Sequence, residues 1–344
     1  MKTTYNILVF LFITFLCPNI DAKNKISAET KGLSAINLAT AEAHINFLAS
    51  DALEGRELGT KGGYIAGEYI ISVIKQLGAN PFLNDNYEQS FKGYAWPNKN
   101  SYFYIDPDEF ISKCTAGPHK VAEMRNIICK IDGNKKDEFV VIGAHYDHLG
   151  CNSMFADDKI FNGADDNASG VQAVLQILKA FIAADSKPER TVIFAFWDGE
   201  EPNLLGSRFF VNNFSEKQQI KCYINLDMIG RNSSKDSIND FYFRNTKNDS
   251  IFKENLQNDI IKYKLDLQPK FDAVYDLSKG SDQANFFNAG IPIIAFSTGF
   301  HSDYHLPSDE AKLINWNKML EITKAAFLSL WHIANEKETV KISK

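Results

Sequence analysis

The 344-residue chain has little of what marks several large functional classes. It has no excess of basic charge: 37 Lys and Arg stand against 43 Asp and Glu, a net charge of −6. Proteins that hold a phosphate backbone usually carry a basic surplus or stripe. The one basic pair, Lys135-Lys136, runs straight into Asp137-Glu138 and reads as a solvated turn. There is no internal repeat and no Pro- or Ser-rich linker to divide the chain. After the N-terminal segment no apolar run is long enough to span a bilayer. Cysteine is scarce, and none of its spacings resembles a thiolate zinc site. Beyond Cys17, the four residues Cys114, Cys129, Cys151 and Cys222 are even in number. They permit two disulfides in an oxidising compartment and equally permit free, buried thiols.

What is present begins with a targeting pattern. Lys2 gives a positive start, Ile7 to Leu16 is apolar except for Thr14, and Pro18 breaks the run. Such a run is too short to cross a membrane and suits a signal-peptide core, with cleavage after Ala22. The expectation is a signal peptide over residues 1–22 and a secreted or periplasmic protein. Lipid attachment at Cys17 is the lesser alternative, because Thr14-Phe15-Leu16 lacks the small residue expected before such a cysteine. Residues 23–39 read as a loose N-terminal segment, and 40–344 as a single domain.

Within that domain, apolar runs alternate with amphipathic segments. The spacing predicts helices from Thr40, over Ala66 to Leu77, Ala168 to Ala184 and Leu204 to Phe214, from Ser281, and over Asn315 to Ala334. Phe139 to Ala144, Thr191 to Phe196, Cys222 to Leu226 and Ile293 to Phe296 are continuous apolar runs, as expected for strands buried on both faces. The pattern predicts a three-layer α/β/α sandwich around a mixed, mainly parallel sheet.

In open α/β sheets, ligands bind at the carboxyl ends of the strands. Here each buried strand runs into potential metal ligands. The first leads to His145-Tyr146-Asp147-His148, the second to Asp198-Gly199-Glu200-Glu201, and the third to Asp227. Asp165-Asp166-Asn167 precedes a helix, and His301, Asp303 and His305 follow the fourth strand. Each cluster alone has a plainer explanation. A single His after a strand is usually a surface residue, Asp165-Asp166 can be a helix cap, and Glu200-Glu201 a solvated turn. Five such clusters at strand ends or helix starts point instead to a metal site, and a His/Asp/Glu donor set suits zinc. His145, Asp166, Glu201, Asp227 and His305 make five ligands. With one carboxylate bridging, each of two zinc ions gains three protein contacts, which leaves room for a shared water. Two metals about 3.5–4 Å apart can clamp a hydrolytic transition state. Of the pair Glu200-Glu201, one carboxylate then coordinates and the other remains free as a base.

The stretches GAHYDH (143–148), GADDNASG (163–170), FWDGEEPNLLGS (196–207), NLDMIG (225–230), SDQANFFNAGIP (281–292) and YHLPSDE (304–310) together resemble the M28 family of zinc peptidases. LASDALEGRELGTKGG (48–63) looks like the opening of many secreted members. The resemblance covers about residues 40 to 335. It implies that His145 and Asp227 hold one zinc, that Glu201 and His305 hold the other, and that Asp166 bridges them. It further implies that Glu200 is the general base and that Asp147 stands behind His145 and orients it. Tyr304 matches a position where some relatives place a tyrosine that stabilises the oxyanion. The family tends to have a cis peptide after the bridging Asp, here Asp166-Asn167. The interval between Phe91 and Asn126 is too short for the protease-associated insert of larger members.

The function implied is a secreted di-zinc aminopeptidase acting on peptides. A carboxypeptidase or dipeptidase of the same family would need a cation for the substrate carboxylate, for which Arg208, Arg231 and Arg244 are candidates. Glutaminyl cyclases share the fold but use one zinc, and His145 alongside the other four ligands argues against them. Non-catalytic binding modules on this scaffold lose ligands, whereas all five are present here. Side-chain specificity, oligomeric state and disulfide pairing are not encoded in any motif.

Overall fold

Side chains along the three central apolar runs alternate between two separate cores, as successive residues of a strand must. Val140, Ile142 and Ala144 join one core while Phe139 and Val141 join the other. Val192, Phe194 and Phe196 oppose Ile193, Ala195 and Trp197 in the same way. Both faces are therefore covered, which is why these runs read as unbroken hydrophobic sequence. Full burial of each Val, Ile or Phe contributes roughly 1.5–3 kcal/mol.

The computed structural model describes residues 26–83, 85–96, 103–113, 119–246, 250–272 and 275–336. The expected signal peptide, Cys17, the cleavage site after Ala22 and Cys114 lie outside these residues. The strands are β1 (Asn80–Pro81), β2 (Glu88–Ala95), β3 (Lys120–Ile131), β4 (Lys135–His145), β5 (Arg190–Trp197), β6 (Ile220–Leu226), β7 (Asp240–Asn245), β8 (Gln268–Lys270) and β9 (Ile293–Ser297). They form one sheet in the order β1-β3-β5-β4-β6-β9-β7-β8, with β2 also paired to β3. The centre, β5-β4-β6-β9, is parallel. It is flanked by antiparallel pairings of β3 with β5 and of β7 with β9. All four central strands thus end on the same edge, where the ligand-bearing loops begin.

The helices are α1 (Ala28–Ala35), α2 (Leu38–Leu48), α3 (Lys61–Leu77), α4 (Pro107–Lys113), α5 (Gly170–Ala183), α6 (Leu205–Asn213), α7 (Ser250–Tyr263), α8 (Gln283–Asn288) and α9 (Trp316–Asn335). Residues of α2, α3, α5, α7 and α9 fill the larger core, and α6 and α8 supply Phe210, Val211 and Phe286 to the other. The mixed α/β layering expected from sequence is thereby met. No helix among the described residues is long and apolar enough to cross a membrane.

One local expectation needs correction. The segment 23–39 is not loose where it is described. Ser27 caps α1 by accepting the Thr30 amide, and Asn37 caps α2 by accepting the Thr40 amide. Gly32 lets α1 lie against α9, since a Cβ there would meet Phe327 Cζ at 2.6 Å. With few large apolar residues of its own, α1 is held by close backbone approach, which hydrophobic periodicity does not register. Among the alternatives left open for the cysteines, Cys129 and Cys151 are free thiols. Cys129 lies on β3 and Cys222 on β6, two strands that are not neighbours in the sheet, so they cannot bridge.

His44 on α2 is buried and bonds through Nδ1 to the Tyr69 hydroxyl of α3 at 2.8 Å. Burial, with the Lys179 charge adding to it, pushes its pKa down to about 4. The unfolded chain, near the ordinary value of 6.5, then takes up this proton first. The stability His44 contributes is complete above pH 6.5 and is lost as pH falls towards 4. Urea unfolding of wild type and His44→Gln should show a free-energy gap that shrinks between pH 7 and 4.5. A gap independent of pH would contradict this account.

Candidate functional site

The strand ends bring most of the expected ligands together. His145 ends β4, Glu200 and Glu201 lie just beyond β5, and Asp227 directly follows β6. Asp166 sits in the turn that leads into α5, and His305 lies in the loop beyond β9. His145 Nε2 is 3.3 Å from Asp166 Oδ1, 3.5 Å from Asp227 Oδ1 and 4.0 Å from Glu200 Oε2. His305 Nε2 is 3.2 Å from Asp166 Oδ2 and 3.2 Å from Glu201 Oε2. The two oxygens of Asp166 therefore face different histidines. That is the geometry one carboxylate needs to serve two cations. Asp227 Oδ1 is buried without a hydrogen-bond donor, an orphan a cation would satisfy.

Backbone geometry shapes this cluster. The Asp166-Asn167 peptide is cis, and His305 holds a φ of 56°. Gly163, with φ 58°, lets the turn pass under His148: a Cβ there would stand 2.2 Å from the Asp166 carbonyl and 2.5 Å from His148 Cδ2. Asp165, the neighbour of Asp166, is turned away. It accepts the Gly230 amide and lies 3.3 Å from His301 Nε2. His301 and Asp303 stay out of the cluster, the latter pairing with Arg231.

Asp147 does more than stand behind His145. His145 Nδ1 lies 3.2 Å from the Asp147 carbonyl and 3.6 Å from its carboxylate. The carboxylate accepts the backbone amides of Glu200 at 3.0 Å and Glu201 at 3.3 Å. One buried acid thus fixes the histidine and the turn that carries both glutamates.

Three further contributors lie within the quoted motif stretches, but distant partners set what each of them does. His148 Nδ1 lies 2.6 Å from Glu201 Oε1, on the side of that carboxylate away from His305. Its place in HYDH was visible, but the side chain it would meet, more than fifty residues on, was not. Asp309 accepts the amides of Asp165 and Asp166, and so holds the turn from the far end of the chain. Arg56, fully buried, donates to the carbonyls of Leu48, Tyr146, Asn162 and Gly163. Tyr304 stacks on the His305 ring, 3.8 Å between centroids, and lines a cavity together with His145, Asp166, Glu200 and Asp227.

The electrostatics follow from burying so many acids together. Burial pushes Glu200 well above the ordinary carboxyl range, and the Glu201, Asp227 and Asp282 charges add to this despite His145. Burial would also raise Asp166, but hydrogen bonds from His145 and His305 hold it well below. Against its own burial, His305 is pushed up to about 10 by Asp166 and Glu201. Burial likewise raises Asp282, to about 7. The cluster strongly attracts positive charge. His145, Asp166 and Asp227 offer donor atoms close enough to share one ion.

The Peptidase family M28 model matches residues 126–329 of this chain. Leupeptin-inactivating enzyme 1 of Streptomyces exfoliatus is 30% identical over 189 residues, which is 54% of this chain and 38% of that protein. The chain therefore spans well under half the length of that relative. The LapA aminopeptidase of Legionella pneumophila shares the fold at a TM-score of 0.66 and 18% identity, covering 97% of this chain and 81% of that one. The glutaminyl cyclase of Porphyromonas gingivalis does so at 0.60 and 18%, covering 86% and 98%. The architecture alone therefore does not separate hydrolysis from cyclisation.

Because Asp147 anchors the glutamate turn, Asp147→Asn should weaken zinc binding about 10–100-fold. Competition against a chromogenic chelator measures this directly. Unchanged affinity would leave Asp147 with no part in organising the ligands.

Proposed function

Because the chain belongs to peptidase family M28, we propose that it is a secreted aminopeptidase that works with two zinc ions. The observation that carries this reading is the division of the Asp166 carboxylate between the His145 and His305 sides. In the proposal His145 and Asp227 hold one zinc, Glu201 and His305 hold the other, and Asp166 serves both. The donors are oxygen and imidazole nitrogen, a set that zinc accepts. When bound, zinc supplies Lewis acidity towards the peptide carbonyl and acidifies the attacking water.

The chain's own residues manage position and protons. Glu200, not needed as a ligand, takes a proton from water and delivers it to the leaving amine. Its high proton affinity in the dry cluster suits the second half of that task. Asp147 keeps Glu200 in place through its backbone amide. The Tyr304 hydroxyl, at the cavity wall, is assigned to the charge that develops on the carbonyl oxygen. A free substrate amine would find acidic partners in Glu200 and Asp227, both on that wall. Secretion rests on the pattern of residues 1–22, and the remainder of the chain is taken as one catalytic domain without a protease-associated insert.

Glu200→Gln should keep its zinc while turnover of unblocked peptides falls about 10²–10⁴-fold. Metal analysis beside amino-acid release from unblocked and N-acetylated peptides checks both parts. Cleavage indifferent to acetylation would move the assignment to a carboxypeptidase. One zinc or none, without hydrolysis, would move it to a cyclase or a binding module.

A further inference from the structure

The same cavity holds a cation that the proposed hydrolytic chemistry does not use. β7 pairs antiparallel with β9, with Tyr242 opposite Ser297 and Arg244 opposite Ala295. Strand alternation sends Phe241 and Phe243 into the core, where they pack on Phe296. Tyr242 and Arg244 must then share the other face. That face lines a cavity of about 220 Å³ that also contains His145, Glu200 and Asp227. Among the described residues Arg244 is the only lysine or arginine lining it.

Arg244 is held firmly yet has few hydrogen-bond partners. Its guanidinium lies 3.9 Å from the Tyr275 ring centroid and 4.6 Å from that of Tyr242. Two aromatic faces fix the plane of the fork and lower the entropy cost of using it. Its ionic partner is Asp272, with Oδ2 3.8 Å from Nε, beyond hydrogen-bond reach. Nε is buried with no acceptor. The other two arginines named as candidates differ. Arg231 is committed to Asp303, and Arg208 donates to the Asn203 carbonyl. An oriented guanidinium with unused donors matches the bidentate geometry of a carboxylate.

We propose that Arg244 receives a carboxylate of the substrate and makes this a peptidase selective for acidic ligands. The proposal rests on the aminopeptidase reading and names its substrate class. The carboxylate has two possible sources: the side chain of an N-terminal Glu or Asp, or the α-carboxylate of a dipeptide.

The test uses the zinc-loaded full chain as wild type, Arg244→Met and Arg244→Lys. Two matched pairs are compared by kcat/KM: Glu-Ala-Ala-amide against Gln-Ala-Ala-amide, and Leu-Ala against Leu-Ala-amide. In wild type, one pair should favour its carboxylate member by about tenfold or more, as expected when a buried charged partner is otherwise left unpaired. Preference in the first pair identifies the side chain as the source, and preference in the second the α-carboxylate. Arg244→Met should collapse that ratio to near one, while Arg244→Lys keeps part of it. A wild-type ratio near one in both pairs, or a ratio that survives Arg244→Met, overturns the proposal. If all four peptides resist hydrolysis, the aminopeptidase reading fails separately. Calorimetry with glutamate and with Leu-Ala then decides the role of Arg244. Binding of either that weakens about tenfold in Arg244→Met supports the role, and binding equal in both proteins removes it.

Discussion

The structure turns on one constraint: acids crowded at the dry end of a parallel sheet must be given positive charge. Asp166, Glu200, Glu201 and Asp227 converge there, with Asp147 directly behind. Charges so placed cannot all remain ionised without compensation. The protein supplies imidazoles at two edges and, beneath them, the guanidinium of Arg56. Burial pulls the Arg56 pKa down to about 10, while Asp166 and Asp147 resist that fall. Arg56 thus ties loop carbonyls to one another and lends its charge to the cluster above. What remains uncompensated is the demand that a divalent cation would meet.

Much of this was legible in the residues because strands and strand ends write themselves locally. Runs such as Thr191 to Phe196 announce burial on both faces, and the acidic and histidine clusters follow them without a gap. The helix at Ala28–Ala35 was missed because its hold on the fold is a glycine contact with Phe327, which has no periodic signature. The partners of Arg56 are backbone carbonyls, which any sequence possesses. Asp309 reaches the Asp165 and Asp166 amides across more than 140 positions.

Arg244 shows the same limit from another side. It was one of three arginines with equal standing in the sequence. What singles it out is the pairing of β7 with β9, two strands separated by about fifty residues, together with rings from Tyr242 and Tyr275. Alternation along β7 was readable, but which face would meet the cavity depended on the sheet order. Ligand types are encoded near their strands, whereas selectivity is encoded in how distant strands are ordered.

The span of the site along the chain has a further consequence. Its parts run from Arg56 near the start to His305 and Asp309 near the end, and β9 must insert beside β6 before the last of them are placed. Contacts of such long sequence separation form late. A chain still being synthesised carries Glu200 and His145 but lacks the far half of the cluster. The molecule therefore has a built-in delay: the centre exists only once the chain through Asp309 has been made and the sheet has closed.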